Sequence, residues 1–177
     1  MPKYSIAIAN RQRALRIDRR AMAMLVRRVL GLEQVAAAEI SIAFVGDAEM
    51  QAVNRQYLNH DFPTDVISFL LGATPVSGRQ VTKAGSHSGK KQQVPDFRPG
   101  HNVQAAIRRG ACKSIDGEIV ISTETALSNA SRLGTTPQHE LALYLAHGLL
   151  HLCGYDDLSP REKRLMRRRE AEALTFL

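Results

Sequence analysis

Two histidines near the C-terminal end of the chain have the spacing of a metal-binding pair. His147 and His151 are four residues apart in an apolar segment that is predicted to be helical. At that spacing both imidazoles project from one face of the helix, about 5.4 Å apart along its axis. Two histidine nitrogens can then each reach a single cation at about 2.0–2.1 Å. The pair therefore predicts a metal site on a buried helix.

A carboxylate follows the pair at a position that suits a third ligand. Gly154 is predicted to end the helix and to let the chain turn back, which brings Asp157 towards the two imidazoles. Three protein ligands leave one position of a tetrahedral metal open, as in catalytic zinc sites. A single buried histidine would be better explained as a hydrogen-bonded core residue, but the pair and the following carboxylates favour a metal. We therefore predict one zinc ion bound by His147, His151 and Asp157.

The other potential ligands fit this site less well. His139 is eight residues before His147, which is about 12 Å along a helix, and it is expected at the surface. Cys153 lies on the other side of the helix and is expected to pack in the core. His60 precedes a predicted strand that could pass beside the helix, so it stays open as a ligand. The remaining histidines fall in a polar segment described below: His87 and His101.

The residue after the first histidine argues against a zinc peptidase. In peptidases of the H-E-x-x-H type, a glutamate at that position is the general base. Here the position is Gly148. A hydrolase without this glutamate can still work, because zinc brings the pKa of its bound water to about 7. A metallopeptidase is therefore the less favoured alternative.

Composition limits the class of protein. The chain has 177 residues, of which 44% are hydrophobic, so it can build one domain with a single core of ordinary size. No apolar run reaches the roughly 18 residues that a membrane span needs. The N-terminus lacks a secretory signal pattern, and two cysteines are too few for a disulfide framework. We expect a cytoplasmic protein without a membrane partner.

The net charge of +7 belongs to one segment of the chain. Between Gly72 and Ile115 there are eight basic residues and one acidic residue, which leaves 16 of each in the rest of the chain. This segment is rich in Gly, Ser, Lys and Gln, and we expect it to be mobile because it can bury little apolar surface. A short helix at Val103–Arg109 is possible within it. A solvated loop and an arm that touches RNA are equally open explanations.

Strands and helices alternate on both sides of this segment. Alternating apolar residues predict strands, and apolar residues at helical spacing behind Ser, Thr or Asp caps predict helices. The predicted strands are Tyr4–Ala9, Ile40–Phe44, Asp65–Leu71 and a strand from Gly117 through Ile121. The predicted helices run from an Asp18 cap to Leu32, from an Asp47 cap to Tyr57, from Thr123 to Leu133, from a Thr136 cap to Cys153, and onward from Ser159.

Two ordered motifs resemble those of the YbeY family of bacterial endoribonucleases and ribosomal-RNA maturation factors. The segment from His147 to Asp157 resembles the family motif H-G-x-L-H-L-x-G-Y-D-H, and Pro63 to Phe69 resembles its P-T-D-V-L-S-F strand. Other residues of the pattern fall in the expected order: Asn54, Tyr57, Gly117 to Ile119 and Glu124 to Ala126. The resemblance covers essentially the whole chain except the basic segment.

The resemblance implies a fold and a function. The implied fold is α+β, a small mixed β-sheet of about four strands packed with about five helices, one of them a zincin-like metal-binding helix. Residues 1–177 would form a single domain with a basic insertion at about 72–115. The implied activity is zinc-dependent hydrolysis of single-stranded RNA in the maturation of small-subunit ribosomal RNA. RNA or the small ribosomal subunit would be the partner, and no DNA partner is expected. A ribosome-assembly or RNA-binding factor with a structural metal is the alternative.

Two positions depart from the family pattern. The family's third ligand is usually histidine, whereas this chain has Asp157. A carboxylate is a competent zinc ligand, but its charge should weaken the metal as a Lewis acid and admit harder cations such as manganese. Many members also carry arginine after the tyrosine that matches Tyr57, and here that residue is Leu58. Arg55, one helical turn earlier, is the candidate replacement, with a solvated surface arginine as an equally good explanation.

Overall fold

The fold is α+β, with a small mixed sheet, as predicted. The computed structural model describes residues 2–76 and 113–175. Within these ranges the strands are β1 (Lys3–Asn10), β2 (Val35–Val45), β3 (Val66–Pro75) and β4 (Lys113–Ser122). The helices are α1 (Arg19–Leu32), α2 (Asp47–Leu58), α3 (Thr123–Leu133), α4 (Pro137–Leu152) and α5 (Pro160–Leu174). Four strands and five helices in the described part confirm the predicted fold class.

The sheet has the strand order β1-β2-β4-β3. β2 pairs in parallel with both β1 and β4, whereas β3 runs antiparallel to β4, with Ile67 opposite Val120 and Phe69 opposite Glu118. β3 is therefore an edge strand of this sheet. One of its long sides faces away from the other strands and is available to line a cleft.

Apolar side chains pack on both faces of the sheet. Because successive residues of a strand point to opposite faces, Ile40 and Ile42 join one large core, which also contains the buried apolar residues of α1 and α4. Val45 and Ile67 belong to a smaller cluster on the other face, together with Met50 of α2. None of the helices within residues 2–76 and 113–175 combines the length and apolarity that a membrane crossing requires.

The predicted helix caps are largely confirmed. Asp18, Thr136 and Ser159 each accept a backbone N–H of the first turn of α1, α4 and α5. Gly134 follows α3 with a φ of 70°, a backbone conformation that glycine adopts at little cost. These local signals set the start of α4, which carries His147 and His151, and of the helix that packs beside it.

Asp47 does not cap α2 as predicted. The N-cap is Gly46, and Asp47 is the first residue of the helix. Its carboxylate instead accepts hydrogen bonds from the hydroxyls of Ser122 and Thr125, and its backbone N–H donates to Glu124 at 2.6 Å. The start of α2 is thus tied to the start of α3, a long-range contact that the local sequence does not reveal.

Regular structure extends further into the predicted insertion than expected. β3 continues past Gly72 to Pro75, and β4 begins at Lys113 rather than near Gly117. The reason is pairing: these residues complete an antiparallel ladder after a register shift between Leu70 and Gly72. Ladder hydrogen bonds stabilise the polar ends of both strands although their composition favours a loop. The expected helix at 103–109 lies outside the described residues.

Helix α4 lies very close to the sheet because glycines occupy two contact positions. A Cβ at Gly148 would lie 3.2 Å from Cγ2 of Ile119 and 3.3 Å from Cγ2 of Val66. A Cβ at Gly117 would lie 2.7 Å from Cδ1 of Leu152. The face of α4 next to His147 therefore packs closely on β3 and β4, and a side chain at position 148 would require Ile119 and Val66 to shift.

A buried ion pair holds α5 and the loop before it to the end of α1. Glu33 is 1% exposed, and its carboxylate accepts hydrogen bonds from Arg169 and, at 3.1 Å, from the Tyr155 hydroxyl. Arg28 adds hydrogen bonds to the backbone carbonyls of Glu172 and Ala173. These contacts fix α5 and the residues after α4 in one position relative to the core.

The glycine packing predicts that the same substitution has different effects on stability at two helical sites. Alanine is favoured over glycine in helices by about 1 kcal/mol, and nothing lies within 4 Å of a Cβ at Gly31. Gly31→Ala should therefore stabilise the protein. Gly148→Ala should be less stable than Gly31→Ala by about 1–3 kcal/mol, because overpacking offsets the helical gain. Urea unfolding of the two variants measures the difference, and equal gains would contradict the close approach of α4.

Candidate metal centre

The structure brings the three predicted ligands together. His147 and His151 lie on one face of α4, with their Nε2 atoms 2.9 Å apart and their ring planes at 83°. Asp157 follows the turn at Gly154, where φ is 94°. One ligand atom from each of His147, His151 and Asp157 lies within 4.8 Å of the other two. All three side chains are half-buried, so the site is open to solvent on one side.

Hydrogen bonds at the far side of each ring set the tautomers. Nδ1 of His147 is 2.7 Å from Oε1 of Glu170, and Nδ1 of His151 is 3.0 Å from the carbonyl oxygen of Tyr155. A carbonyl oxygen and an ionised carboxylate can only accept, so each Nδ1 must donate. In the neutral rings both Nε2 atoms then present lone pairs to each other. This arrangement is unfavourable unless a cation lies between them, which is the arrangement of metal-binding histidines with outer carboxylate and carbonyl partners.

The pKa values of the two histidines are shifted in opposite directions. Burial alone would lower the pKa of His147, but the hydrogen bond and the charge of Glu170 outweigh it and raise that pKa. Burial and the adjacent His147 together lower the pKa of His151. The carboxylates of Asp157 and Asp65 add negative potential at His147. The site therefore attracts positive charge, and its first proton binds at His147.

The donor set fits a divalent first-row metal. Two imidazole nitrogens and one carboxylate oxygen are ligands that zinc accepts, and the carboxylate also suits manganese. With three protein ligands, His147, His151 and Asp157 would leave a coordination position for water or substrate.

The other histidines and the cysteine lie apart from this cluster in the described part of the chain. His139 is exposed in the first turn of α4, as expected. His60 is exposed and stacks on Phe62, so the structure gives it no part in the cluster. Cys153 is a buried free thiol, and burial raises its pKa to about 12. The other cysteine, Cys112, and the histidines at 87 and 101 lie outside the described residues.

A cleft opens beside the two histidines. It has a volume of about 280 Å³ and lies between α4 and the edge strand β3. Its walls are Leu58, residues 65–69, His147 and His151. The edge strand thus forms one wall and α4 the other, so a molecule that entered the cleft would meet the imidazoles of His147 and His151 directly.

Asp65 is a site residue to which the sequence analysis gave no role. It lines the cleft, and its Oδ1 accepts hydrogen bonds from Oγ1 of Thr64 at 3.0 Å and from the N–H of Val66 at 2.8 Å. Oδ2 accepts neither of these bonds, so it is the oxygen available for other contacts. The available signal was a carboxylate directly before a strand of the recognised motif. Glu170 was also missed, because it is 23 residues from His147 and only the packing of α5 brings them together.

Arg55 lies outside the cleft. Its side chain is 65% exposed and forms an ion pair with Asp61 at 3.5 Å. Leu58, which occupies the family's arginine position, lines the cleft instead. A role of Arg55 in charge stabilisation therefore remains a prediction that this geometry does not favour.

The contact with Glu170 predicts an indirect effect on metal affinity. Glu170→Gln keeps the size of the side chain but removes the charge that fixes the His147 tautomer. Loss of such an outer partner typically lowers metal affinity about 10- to 100-fold. Glu172→Gln is the matched control, because Glu172 lies on the same helix but pairs with Arg169. Competitive titration with a zinc-binding dye measures both, and equal affinities would contradict the role of Glu170.

Metal affinity should depend on pH through His147. A metal needs the deprotonated ring, and the pKa of His147 lies above the ordinary value of 6.5. Affinity should therefore be complete above that pKa and fall by about tenfold per pH unit below it. In Glu170→Gln the decline should begin at a lower pH, because the main cause of the raised pKa is gone. A decline that begins at the same pH in both proteins would contradict this explanation.

Comparison with known proteins identifies the family. The family model described as endoribonuclease YbeY matches residues 7–177. A relative from Syntrophus aciditrophicus named endoribonuclease YbeY is 32% identical over 98% of this chain and 89% of its own length. One from Pelotomaculum thermopropionicum with the same name is 32% identical over 96% and 94%. A solution structure from Thermotoga maritima shares the fold, with a TM-score of 0.52 and 19% identity over 95% of this chain and 88% of that one. The chain belongs to the YbeY endoribonuclease family.

Proposed function

We propose that this protein is a zinc-dependent endoribonuclease that cleaves single-stranded RNA. The observation that carries the proposal is the pair of Nε2 atoms, 2.9 Å apart, which belong to two histidines that line an open cleft and cluster with Asp157. Membership of an endoribonuclease family supplies the substrate class. We further propose that it acts in the cytoplasm on ribosomal RNA of the small subunit, during ribosome biogenesis. The support for this last step is the resemblance of the segments from Pro63 to Phe69 and from His147 to Asp157 to the family's motifs.

The residues in and around the cleft would have different roles in phosphodiester hydrolysis. His147, His151 and Asp157 would hold the metal, which when bound supplies Lewis acidity towards a phosphoryl oxygen and its attacking nucleophile. Glu170 and the Tyr155 carbonyl fix the two rings. Asp65 is placed to accept the proton of the nucleophile as general base.

The identity of the nucleophile determines the products. If water attacks phosphorus, the P–O bond to the leaving oxygen breaks. One product then ends in a hydroxyl group and the other in a phosphomonoester. If the neighbouring ribose 2′-OH attacks, the upstream product ends in a 2′,3′-cyclic phosphate and the downstream product in a 5′-OH. End-group analysis of the fragments therefore separates the two routes.

Positive charge on α5 supports a polyanionic substrate. The helix exposes five basic side chains, and its Glu170 reaches the metal site through His147. These side chains are Arg161, Lys163, Arg164, Arg167 and Arg168. Exposed cations of this kind neutralise phosphates and release counterions, which is the main source of non-specific affinity for nucleic acid.

The proposal predicts metal-dependent cleavage that needs Asp65. A single-stranded RNA should be cut, the same strand in a duplex should resist, and a chelator followed by added zinc should abolish and restore the activity. Asp65→Asn should lower the cleavage rate about 100- to 10,000-fold, the range for loss of a general base, with zinc content unchanged. Gel analysis of end-labelled RNA and elemental analysis measure the two effects. RNA cleavage that persists after a chelator has removed the metal from the protein would contradict the proposal.

An assembly factor with a structural metal is the second candidate. One observation favours it: the cluster joins α4 to the loop at Asp157, so a metal there would brace the fold. In that case His151→Ala would lower the melting temperature while the RNA affinity of the folded protein and its cellular role survive. If the protein is instead an enzyme, the His151→Ala variant should lose RNA cleavage even at temperatures at which it remains folded. Cleavage assays well below its melting temperature distinguish the two.

A further inference from the structure

An aromatic pair is exposed in the loop between α2 and β3. The rings of His60 and Phe62 are stacked, with centroids 5.3 Å apart and planes inclined by 13°. His60 is exposed, and Phe62 is 56% exposed. The two stacked rings together form an aromatic surface that is open to solvent.

The loop that carries this pair is anchored to α2. Nδ2 of the buried Asn54 donates to the carbonyl oxygen of Phe62 at 2.7 Å. Nε2 of Gln51 donates to Oδ1 of Asp61 at 3.0 Å and to the carbonyl oxygen of Asp61 at 3.2 Å. Asn59 turns the chain after α2 with a φ of 61°. The backbone beneath Phe62 is therefore fixed, and the exposed ring is presented in one place.

The anchored loop lies at the mouth of the cleft. Its two ends are Leu58 and Asp65, and both line the cleft beside His147 and His151. Phe62 is three residues before Asp65, so it can be no more than about 11 Å from it along the chain. A polymer whose scissile phosphate lies at the metal ligands would pass within reach of this ring.

We propose that Phe62, backed by His60, is a stacking platform for an unpaired base of the RNA substrate, an inference that rests on the proposed function. Proteins that bind single-stranded RNA combine basic surfaces with exposed aromatic rings, because every base has a face that can stack. Bases in a duplex are already stacked and paired and cannot use the platform. Phe62 thus contributes selectivity for single strands close to the cleavage site.

The chain contains no tryptophan, which makes a direct test possible. In Phe62→Trp the single indole should be quenched when a short single-stranded oligoribonucleotide is added, because a base stacks on it. The same strand annealed to its complement should not quench it. Leu133→Trp is the matched control: Leu133 is also 56% exposed, but it lies at the end of α3, before the start of α4. Its indole should not respond to either RNA.

Affinity measurements separate stacking from simple apolar contact. Phe62→Ala should weaken binding of the single strand about 5- to 100-fold, the range for loss of one base–aromatic stack. Phe62→Tyr should keep the affinity of the wild type, whereas Phe62→Leu should lose most of it because leucine has no planar face. A leucine variant that binds as tightly as the wild type would overturn the platform, as would quenching by the duplex that matches quenching by the single strand.

Cleavage of the same RNA, followed on gels from the same titrations, keeps this inference distinct from the proposed function. Suppose that the wild type binds and cuts the single strand, but that RNA does not quench the indole of Phe62→Trp and Phe62→Ala binds RNA as tightly as the wild type. The platform is then wrong, and the proposed function stands. The exposed ring would then be free for a protein partner. If the wild type neither binds nor cuts single-stranded RNA, both proposals fail.

Discussion

Each of the two imidazoles at the end of α4 is fixed by an acceptor at its Nδ1, and this leaves two Nε2 lone pairs directed at one point. Such a pair of acceptors at 2.9 Å is repulsive unless positive charge lies between them. The nearby carboxylates of Asp157 and Asp65 make the electrostatic potential at this point more negative, which favours a cation. A bound metal or, at lower pH, a proton between the two nitrogens would remove this repulsion.

The rest of the fold serves to keep these groups in place. Gly148 lets α4 lie directly on β3 and β4, and this close packing fixes the position of the two walls of the cleft, α4 and β3. The buried pair of Glu33 and Arg169 holds α5 so that Glu170 meets His147. The position of a peptidase's general base is occupied by Gly148, which packs against this sheet, so a general base would have to come from elsewhere. Asp65, directly before the edge strand, is the carboxylate that lines the cleft.

The sequence allowed much of this to be predicted, for local reasons. Helical spacing placed His147 and His151 on one face, and cap residues such as Thr136 and Ser159 marked where α4 and α5 begin. What could not be predicted depends on contacts between distant segments. Glu170 reaches His147 only because α5 folds back on α4, and Asp47 binds Ser122 and Thr125 rather than its own helix. β3 and β4 extend beyond their apolar residues because each supplies the other with hydrogen bonds.

The most direct test is the zinc content of the untagged wild type, of Asp157→Ala and of Asp156→Ala. The two aspartates are adjacent, but only Asp157 belongs to the cluster. The structure predicts about one zinc per chain in the wild type and in Asp156→Ala, with little or none in Asp157→Ala. No zinc in the wild type even after zinc is added back, or equal zinc in all three proteins, would contradict a site built from His147, His151 and Asp157.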